Sequence, residues 1–347
     1  MSIVVPAYNE AHRLDDGFER FQHAVRSGAV DLDQTEVIVV DDGSDDDTSG
    51  RARSLTADLP HHRVIRLPTN QGKGAAVRAG IRAARGASTA YMDADMAIDP
   101  RAIPQLLDRL ETTEAAIGSR SLPDSMVESR YMIRLLMGRL FNRLVTVGTD
   151  LDFLDTQCGF KAFRTEVARL VFHLVPIDRF AFDVEVLACS HRLGLTIAEV
   201  PVHWKHVPGS SVQPLHDSIT MLADVFSSRS GLRRPPPVPA VAMTGPGSRP
   251  GDEDQLAADD RLLDQVRAAL AAGRCPVPHP VISGHAETLV LFPLVDPAEV
   301  AGYVRSLRAA LPEQAVTPRS LTLSGLLALA PLAGRIHSAV VPGWPSA

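Results

Sequence analysis

Cysteine is rare in this sequence, and its distribution excludes two kinds of site. The three cysteines lie far apart, at Cys158, Cys189 and Cys275. No pair has the spacing of a zinc site or of a redox-active motif. Their odd number is typical of a protein in a reducing compartment, and not of a secreted disulfide framework. The cysteines therefore favour a cytoplasmic protein.

Long apolar segments are also lacking. No uninterrupted run of about 18 apolar residues occurs, so we predict no transmembrane helix. Residues 132–148 come nearest, but arginines interrupt them. The chain begins with MSIVVPAYNE, which has no basic stretch followed by an apolar one, so we predict no signal peptide.

No strong excess of positive charge exists. The formal net charge is -6 and the pI is about 6.1, so we expect no nucleic-acid partner. Hydrophobic residues make up 45% and charged residues 22% of the sequence, which is ordinary for a soluble globular protein. A length of 347 residues leaves room for two domains.

Short apolar runs alternate with amphipathic, helix-length segments up to about Gly118. The strand candidates are SIVVPA, TEVIVVDDGS, HRVIRL, STAYMDAD and EAAIGSR. Several of these runs are apolar throughout, which indicates strands that are covered on both faces. The alternation therefore predicts an α/β fold, a Rossmann-like and mostly parallel sheet with flanking helices.

Composition suggests three parts to the chain. We predict a catalytic domain at residues 1–232 and a linker rich in proline and glycine at residues 233–254. Residues 255–347 contain two helical patterns, ADDRLLDQVRAALAAG and PAEVAGYVRSLRAALP, and one strand pattern, ETLVLFPLV. We expect a small α+β appendage there, of unknown role.

Asp93 and Asp95 end one of the predicted strands. Side chains at positions i and i+2 of an extended chain point the same way, so the two carboxylates converge. Converging acids are costly unless a cation lies between them. Mg2+ or Mn2+ suits such oxygen ligands and keeps positions open for phosphate oxygens. The alternative is a turn of acids that caps the helix beginning near Pro100.

A second strand ends in Asp41 and Asp42, followed by Gly43. A carboxylate at this place can accept a hydrogen bond from a nucleotide base or from a ribose hydroxyl. Ser44 or Asp45 can cap the next helix, but capping does not account for the two acids before them.

Lys73 lies between two glycines in NQGKGAAVRAG, at the beginning of a predicted helix. Free amide groups and the helix dipole favour anions at such a position. The segment lacks the spacing of a Walker motif. The alternative is a solvated lysine.

Together these motifs resemble those of a known family. IVVPAYNE, VIVVDDGSDDDT, NQGKGAAVRAG, YMDADMA, IGSR, DTQCGFKAFR, FAFDVEVL and IAEVPVHW occur in the order found in family 2 glycosyltransferases, which have the GT-A fold. Over roughly residues 2–230 the chain resembles dolichyl-phosphate β-glucosyltransferases and polyprenyl-phosphate sugar synthases. The resemblance implies an inverting transfer of a hexose from a nucleotide sugar to a polyprenyl or dolichyl phosphate.

The resemblance also implies roles for individual residues. Asp93 and Asp95 would bind metal and diphosphate, and Asp95 would be catalytic. Mannose-transferring relatives often carry glutamine at the place of Ala97, so we expect UDP-glucose as the donor. The residues implied in binding the nucleotide sugar are Pro6, Ala7, Tyr8, Glu10, Asp41, Asp42, Lys73, Asp93 and Ala94.

The acceptor side needs positive charge and, for a phosphate acceptor, no strong base. The candidates for the acceptor phosphate are Arg120, Arg130, Arg134 and Lys161. Asp183 and Glu185 occupy the region where many relatives hold a catalytic base, and we take Asp183 as the catalytic candidate. It could instead be a helix-terminal acid that backbone donors satisfy.

Residues 130–147 combine apolar side chains with arginines. This pattern predicts contact with a membrane surface, on the inner face of the cell membrane, with the arginines reaching lipid headgroups. The alternative is an amphipathic helix that packs on the sheet.

Two other functions fit the same motifs. The first is a transferase of the same fold that uses a small hydroxyl acceptor, such as a phosphoglycerate, and depends on Asp183 as its base. The second is a non-catalytic protein that binds a nucleotide sugar.

Overall fold

The structure is a computed structural model. It describes residues 1–128, 142, 145, 151–175, 177–179, 181–207, 238–244, 266, 280–283, 288–295, 297–311, 315–321 and 336–338. Residues Arg130 and Arg134, and most of the predicted membrane-facing segment, lie outside these ranges.

A sheet of seven strands forms the centre of the protein. Its strand order is β3-β2-β1-β4-β7-β5-β8, and β7 is antiparallel to both of its neighbours while the other pairs are parallel. The strands are β1 (Ser2–Ala7), β2 (Glu36–Asp41), β3 (His62–Arg66), β4 (Ser88–Tyr91), β5 (Ala115–Ser119), β7 (Lys161–Arg164) and β8 (Ile197–Pro201). A two-stranded parallel ribbon pairs β6 (Met126–Glu128) with β9 (His203–Lys205). The prediction of a mostly parallel α/β sheet is confirmed.

Helices cover both faces of this sheet, which is why the central strands are apolar throughout. Every residue of β1 and β2 is buried. On β1, Ile3 and Val5 face the cluster that holds Phe18, whereas Val4 faces the cluster that holds Val77. The helices that pack in the first cluster are α1 (Leu14–Arg26), α2 (Thr48–Thr56) and α4 (Ile103–Arg109). Those that pack in the second cluster are α3 (Lys73–Ala83), α5 (Thr165–Leu174) and α6 (Phe182–Arg192).

A second sheet lies near the C-terminus and is antiparallel, with strand order β13-β10-β12-β11-β14. Its elements are β10 (Val238–Thr244), β11 (Pro280–Ser283), β12 (Thr288–Leu291), α7 (Pro297–Ala310), β13 (Ala315–Leu321) and β14 (Ile336–Ser338). The strand and the second helix expected after residue 255 are both present.

Strand β10 falls inside the segment that composition predicts to be a linker. It pairs with β12 on one side and with β13 on the other. Val238, Ala240 and Ala242 alternate along the strand and are buried. The linker prediction therefore does not describe residues 238–244, because this continuous apolar run pairs as a strand and places Ala240 in one buried cluster and Met243 in another.

The C-terminal sheet shares a hydrophobic core with the first sheet. Val238 and Leu291 belong to the same buried cluster as Leu170 and Leu174 of α5. At the edge of this contact, the backbone N–H of Leu294 donates to His173 Nδ1 over 3.1 Å. The other face of the C-terminal sheet packs against α7. The C-terminal strands thus pack against the helices that cover the seven-stranded sheet.

In the described part of the chain, no helix combines the length and the apolar character that crossing a bilayer requires.

Candidate active site at the carboxyl ends of the strands

The acidic strand ends meet at one edge of the sheet. Strand β1 lies between β2 and β4, and all three run parallel. The segments that follow them carry Tyr8, Asp42 and Asp93, so these residues leave the sheet on the same side. Ligands of open α/β sheets bind beyond the carboxyl ends of the strands. The predicted grouping of the acidic strand ends follows from this order.

Asp93 is the more open of the paired acids. Its side chain is 44% exposed, and its Oδ1 lies 2.6 Å from Nζ of Lys73. On its other side lies Gly159, where an added Cβ would come within 2.2 Å of Asp93 Oδ2. Glycine is thus required at position 159 for the carboxylate of Asp93 to take this place.

Asp95 is held by a residue that the sequence analysis missed. Arg13 donates from Nη2 to Asp95 Oδ2 and from Nη1 to Glu10 Oε1, the second bond being 2.8 Å long. The amide of Ala97 donates to Asp95 Oδ1 over 3.1 Å. Arg13 therefore links two of the predicted site residues. Its position, three residues after Glu10 at the start of α1, is the one signal for it in the sequence.

Negative charge is crowded around Asp95. Burial raises the pKa of Glu10 to about 7, against the attraction of Arg13 and with a further contribution from Asp95. Burial and the neighbouring Asp93 also raise the pKa of Asp95. Glu10 Oε2 is buried and has no hydrogen-bond partner in the described part of the chain. A cation at this place would offset the repulsion between these acids and the burial of the unpaired Glu10 oxygen.

The residues present fit a divalent cation that shares its ligands with a substrate. Among the described residues, no group of three His, Cys, Asp or Glu side chains could hold a metal ion. Asp93 and Asp95 thus offer a site of two carboxylates. Mg2+ is commonly bound by one or two carboxylates together with substrate phosphates and water. The donor set suits such an ion.

Asp41 is fully buried and serves the loop that follows it. Its Oδ1 accepts the amide of Ser44 over 2.9 Å, and its Oδ2 accepts the hydroxyl of Ser49. Arg66 lies 3.6 Å from the same Oδ2. Burial alone would raise the pKa of Asp41, but the hydrogen bonds from Ser44 and Ser49 lower it below its ordinary value.

Asp42 holds the loop before α3. Its carboxylate accepts the amide of Gln71 over 2.9 Å and that of Gly72 over 2.7 Å. It is buried, and burial raises its pKa despite these two donors. Both strand-end acids thus shape the walls of the site.

The remaining predicted nucleotide residues differ in exposure. Pro6, Ala7 and Ala94 are buried, whereas the side chain of Tyr8 is exposed at the end of β1. Of these four, Tyr8 offers the surface on which a base could lie.

The amino end of α3 is not open to an anion. The amides of Gly74 and Ala75 both donate to the carbonyl of Asp178, over 2.7 and 3.3 Å. The amide of Gly72 is taken by Asp42. The expected anion site on free helix amides is therefore wrong, because the chain itself satisfies these donors. The side chain of Lys73 remains as the positive group at this helix end.

Asp183 lies in the first turn of α6 and is buried among donors. Its Oδ1 accepts Tyr91 Oη over 2.7 Å and Lys161 Nζ over 2.6 Å. Its Oδ2 lies 3.8 Å from Lys73 Nζ. Burial and Asp183 together raise the pKa of Tyr91 well above its ordinary value. Side chains from β4, β7, α3 and α6 therefore meet at the carboxylate of Asp183.

Lys161 is a counter-ion of Asp183 in this structure. Its side chain is 0% exposed, and its Nζ also donates to the carbonyl oxygens of Cys158 and Thr156, over 2.8 and 3.2 Å. An acceptor phosphate at the surface would not reach this nitrogen. The prediction that Lys161 binds the acceptor phosphate is corrected accordingly.

Arg120 is the described acceptor candidate that reaches the surface. It donates from Nε and Nη2 to the carboxylate of Asp155, over 2.7 and 2.9 Å, and its side chain is 33% exposed. Burial opposes its charge, but Asp155 raises the pKa of Arg120 further above its ordinary value. Asp155 was not predicted from the sequence. Arg130 and Arg134 lie outside the described residues.

Comparison with known sequences identifies the family. The model of "Glycosyl transferase family 2" matches residues 2–172. The chain is 37% identical over 243 residues to the dolichyl-phosphate beta-glucosyltransferase of Dictyostelium discoideum, covering 66% of this chain and 73% of that protein. It is 35% identical over 241 residues to the enzyme of that name from Homo sapiens, covering 66% and 74%. The chain belongs to glycosyl transferase family 2. The resemblance stated from the motifs is confirmed.

Solved structures agree on the fold of this family 2 glycosyltransferase. The glucosyl-3-phosphoglycerate synthase of Mycobacterium tuberculosis, solved in complex with Mn2+, UDP and glucosyl-3-phosphoglycerate, aligns with a TM-score of 0.51. The alignment covers 66% of this chain and 79% of the synthase at 22% identity. At this identity the likeness shows the fold alone, and it confirms the GT-A architecture.

Proposed function

We propose that this family 2 glycosyltransferase moves glucose from UDP-glucose to a dolichyl or other polyprenyl phosphate, with inversion at the anomeric carbon. Relatives at 37% and 35% identity carry the name of this activity, and the chain spans about three quarters of each. Ala97, which replaces the glutamine of mannose-transferring relatives, supports glucose as the sugar.

The observation that carries the choice of acceptor is the environment of Asp183. A general base needs a lone pair within hydrogen-bond reach of the proton that it takes. Asp183 is buried, its Oδ1 already accepts Tyr91 and Lys161, and its Oδ2 faces the ammonium of Lys73 at 3.8 Å. A phosphate acceptor is ionised before it attacks and has no proton to lose. The site therefore suits a phosphate better than a hydroxyl acceptor.

On the donor side, Asp93 and Asp95 would hold Mg2+ or Mn2+. Such an ion stabilises the charge that develops on the departing diphosphate. Lys73 supplies a second positive charge beside Asp93. The nucleoside would lie along Tyr8 and Glu10, against walls that Asp41 and Asp42 fix and over the buried residues Pro6, Ala7 and Ala94.

On the acceptor side, we assign the phosphate to Arg120, whose guanidinium is partly exposed. Asp155 occupies Nε and Nη2 of Arg120, so Nη1 is the nitrogen that would donate a charge-assisted hydrogen bond to the phosphate. Arg130 and Arg134 stay candidates for the same role on sequence grounds. Lys161 acts indirectly, by holding Asp183 in place.

We further propose that the protein contacts the inner face of the cell membrane peripherally. The acceptor is a lipid, and exposed apolar side chains stand on both sides of the segment at residues 129–150. Met126 is 62% exposed and Leu154 is 50% exposed. Apolar side chains beside arginines are typical of surfaces that rest in a lipid interface.

A direct transfer assay tests this function. Purified protein receives UDP-glucose or GDP-mannose with Mn2+ or Mg2+, and either polyprenyl phosphate in vesicles or 3-phosphoglycerate in solution. We expect glucosylated lipid from UDP-glucose with a metal ion present. Turnover with 3-phosphoglycerate and none with the lipid would overturn the proposed acceptor. Loss of turnover in both arms would overturn the proposed reaction.

A further inference from the structure

Lys73 stands between two carboxylates that belong to different parts of the fold. Its Nζ lies 2.6 Å from Asp93 Oδ1, within hydrogen-bond range, and 3.8 Å from Asp183 Oδ2, beyond that range. The side chain of Lys73 is 17% exposed. Asp93 follows β4, and Asp183 opens α6. A shift of little more than an ångström would change the partner of the ammonium group.

The two oxygens of Asp183 are used differently. Oδ1 accepts both Tyr91 and Lys161, at 2.7 and 2.6 Å. Oδ2 is the oxygen that faces Lys73. The ring of Phe182 lies beneath the ammonium, 5.7 Å from its centroid to Nζ, and a cation is favoured above such a ring. Asp183 Oδ2 therefore offers a second binding position to the ammonium group of Lys73.

The backbone at Lys73 is held in place, whereas its side chain can pair with either Asp93 or Asp183. The carbonyl of Asp178 accepts the amides of Gly74 and Ala75 just after it. On the same helix, Arg78 donates to the carbonyls of Phe172 and Val175, over 3.1 and 2.7 Å. These bonds tie α3 to the connection between α5 and α6. A flexible four-carbon stem on a fixed helix end can move without moving the fold.

We propose that Lys73 is a two-position cation that couples metal binding to donor binding. In the free protein it neutralises Asp93. When Asp93 and Asp95 bind a divalent ion, Lys73 moves to Asp183 Oδ2 and to the diphosphate of the donor. This inference rests on the proposed function, because it takes a metal ion and a nucleoside diphosphate as the ligands of this site.

The physical reason is competition between like charges for one oxygen. An ammonium at 2.6 Å from Asp93 Oδ1 takes a lone pair that a metal ion needs, and it repels that ion. A diphosphate offers Lys73 new partners and so releases Asp93. Each ligand then strengthens the binding of the other by the same factor, as linkage requires. Asp183 acts as a positioning residue in this scheme.

Calorimetry of the full chain tests the coupling without measuring turnover. Mn2+ is titrated into the protein alone and into the protein saturated with UDP, for the wild type, Lys73→Met and Arg82→Met. Arg82 is the matched control because it lies exposed on the same helix and loses the same charge. We expect Lys73→Met to bind Mn2+ alone about tenfold more tightly and to lose about tenfold of the strengthening by UDP, while it keeps the part that comes from direct contact between Mn2+ and the diphosphate. Arg82→Met should match the wild type.

Asp183→Asn provides a second, opposite test. It removes the charge that receives Lys73, so Mn2+ alone should bind several-fold more weakly than to the wild type. In the Lys73→Met background the same substitution should have no further effect on Mn2+ affinity. This dependence on Lys73 would not follow from a purely structural role of Asp183.

The outcomes separate the inference from the function on which it rests. If the wild type binds Mn2+ and UDP with mutual strengthening and Lys73→Met keeps the full strengthening, the two-position role is wrong and the proposed function stands. Weaker binding of Mn2+ alone in Lys73→Met also overturns it. If the wild type takes up neither Mn2+ with UDP nor UDP-glucose, the proposed function itself fails.

Discussion

The carboxylate of Asp93 occupies the space that a side chain at position 159 would fill. An ideal Cβ on Gly159 would lie 2.2 Å from Asp93 Oδ2 and 2.6 Å from its Cγ. Contacts this short cannot exist, so any other residue at 159 must push the acid aside. The position of a proposed metal ligand thus depends on a glycine that lies far from it in the sequence.

Gly159→Ala should therefore damage the site and spare the fold. We expect turnover and Mn2+-dependent UDP binding to fall by about 100-fold or more, because a displacement near 1 Å at a ligand is costly. Gly302→Ala is the control, since its nearest atom, 3.9 Å away, is the end of an arginine side chain. Gly302 lies within α7, so this variant should gain roughly 0.5–1 kcal/mol in unfolding free energy and keep full activity. Full activity in Gly159→Ala would contradict the assignment of Asp93.

Asp95→Asn should strongly reduce turnover while the thermal unfolding temperature stays within a few degrees of the wild type. The substitution keeps the shape of the side chain but removes a charge from a crowded group of acids, where burial and Asp93 raise the pKa of Asp95. The comparison is Asp108→Asn, on the exposed face of α4. We expect a loss of roughly 100-fold or more in turnover for Asp95→Asn and none for Asp108→Asn. If Asp95→Asn and Asp108→Asn are equally active, the proposal that Asp95 binds a catalytic metal ion is wrong.

Asp183→Asn should slow the reaction moderately and leave its dependence on pH unchanged. If the acceptor is a phosphate, no proton is taken from it, and kcat with polyprenyl phosphate should fall by about tenfold through the weaker hold on Lys73. Loss of a general base typically costs about 100- to 10,000-fold and removes the corresponding limb of the pH profile. Profiles of kcat between pH 6 and 9 decide between these outcomes. The larger loss, with an altered profile, would point to a hydroxyl acceptor.

The ion pair of Asp155 and Arg120 should make stability sensitive to acid. Burial alone would raise the pKa of Asp155, but Arg120 lowers it below its ordinary value. The folded pKa thus lies below the unfolded value of about 3.9, so this contribution is present above that pH and is lost as the pH falls through the folded value. Urea unfolding at pH 7 and pH 3 measures it in the wild type and in Asp155→Asn. We expect Asp155→Asn to cost about 1–3 kcal/mol at pH 7 and less at pH 3, since it leaves donors of the partly exposed Arg120 without their partner. An equal cost at both pH values would contradict the pairing.

Cys158 and Cys189 should resist thiol reagents while the protein is folded. Both are buried, and burial raises the pKa of each thiol to about 12. The thiolate is the reactive form, and at pH 8 it makes up only about one part in ten thousand of such a group. In the variant Cys275→Ser we expect no labelling by a maleimide at pH 8 until denaturant is added. Rapid labelling of the folded variant would contradict the burial of these residues.

Local signals in the sequence are sufficient for the parallel part of the fold. The unbroken apolar runs of β1 and β2 indicate strands covered on both faces, and the two faces do hold separate helices. The prediction that Asp93 and Asp95 end an extended strand is wrong, because β4 ends at Tyr91 and the amide of Met96 donates to the carbonyl of Asp93 over 2.9 Å, which places both acids in a turn. The order of the motifs was enough to state the family.

Composition was a poor guide where the decisive contacts are distant. Strand β10 is stabilised by pairing with strands about 50 and 75 residues later in the chain. Averaging over residues 233–254 hides its short continuous apolar run. The antiparallel strand β7, inserted between β4 and β5, likewise depends on its partners and not on its own sequence.

By itself, the sequence determined the parallel part of the sheet, the acidic residues near its strand ends and the family, because each of these depends on neighbouring residues or on a fixed order of motifs. Only the tertiary structure decided what surrounds each acid. Lys73, Tyr91, Lys161 and Asp183 come from four separate segments, and only folding brings them together. Burial then makes their charges interact strongly, since little water remains to screen them. For this reason the positions of Asp93 and Asp183 could be read in the sequence, whereas their sharing of one lysine could not.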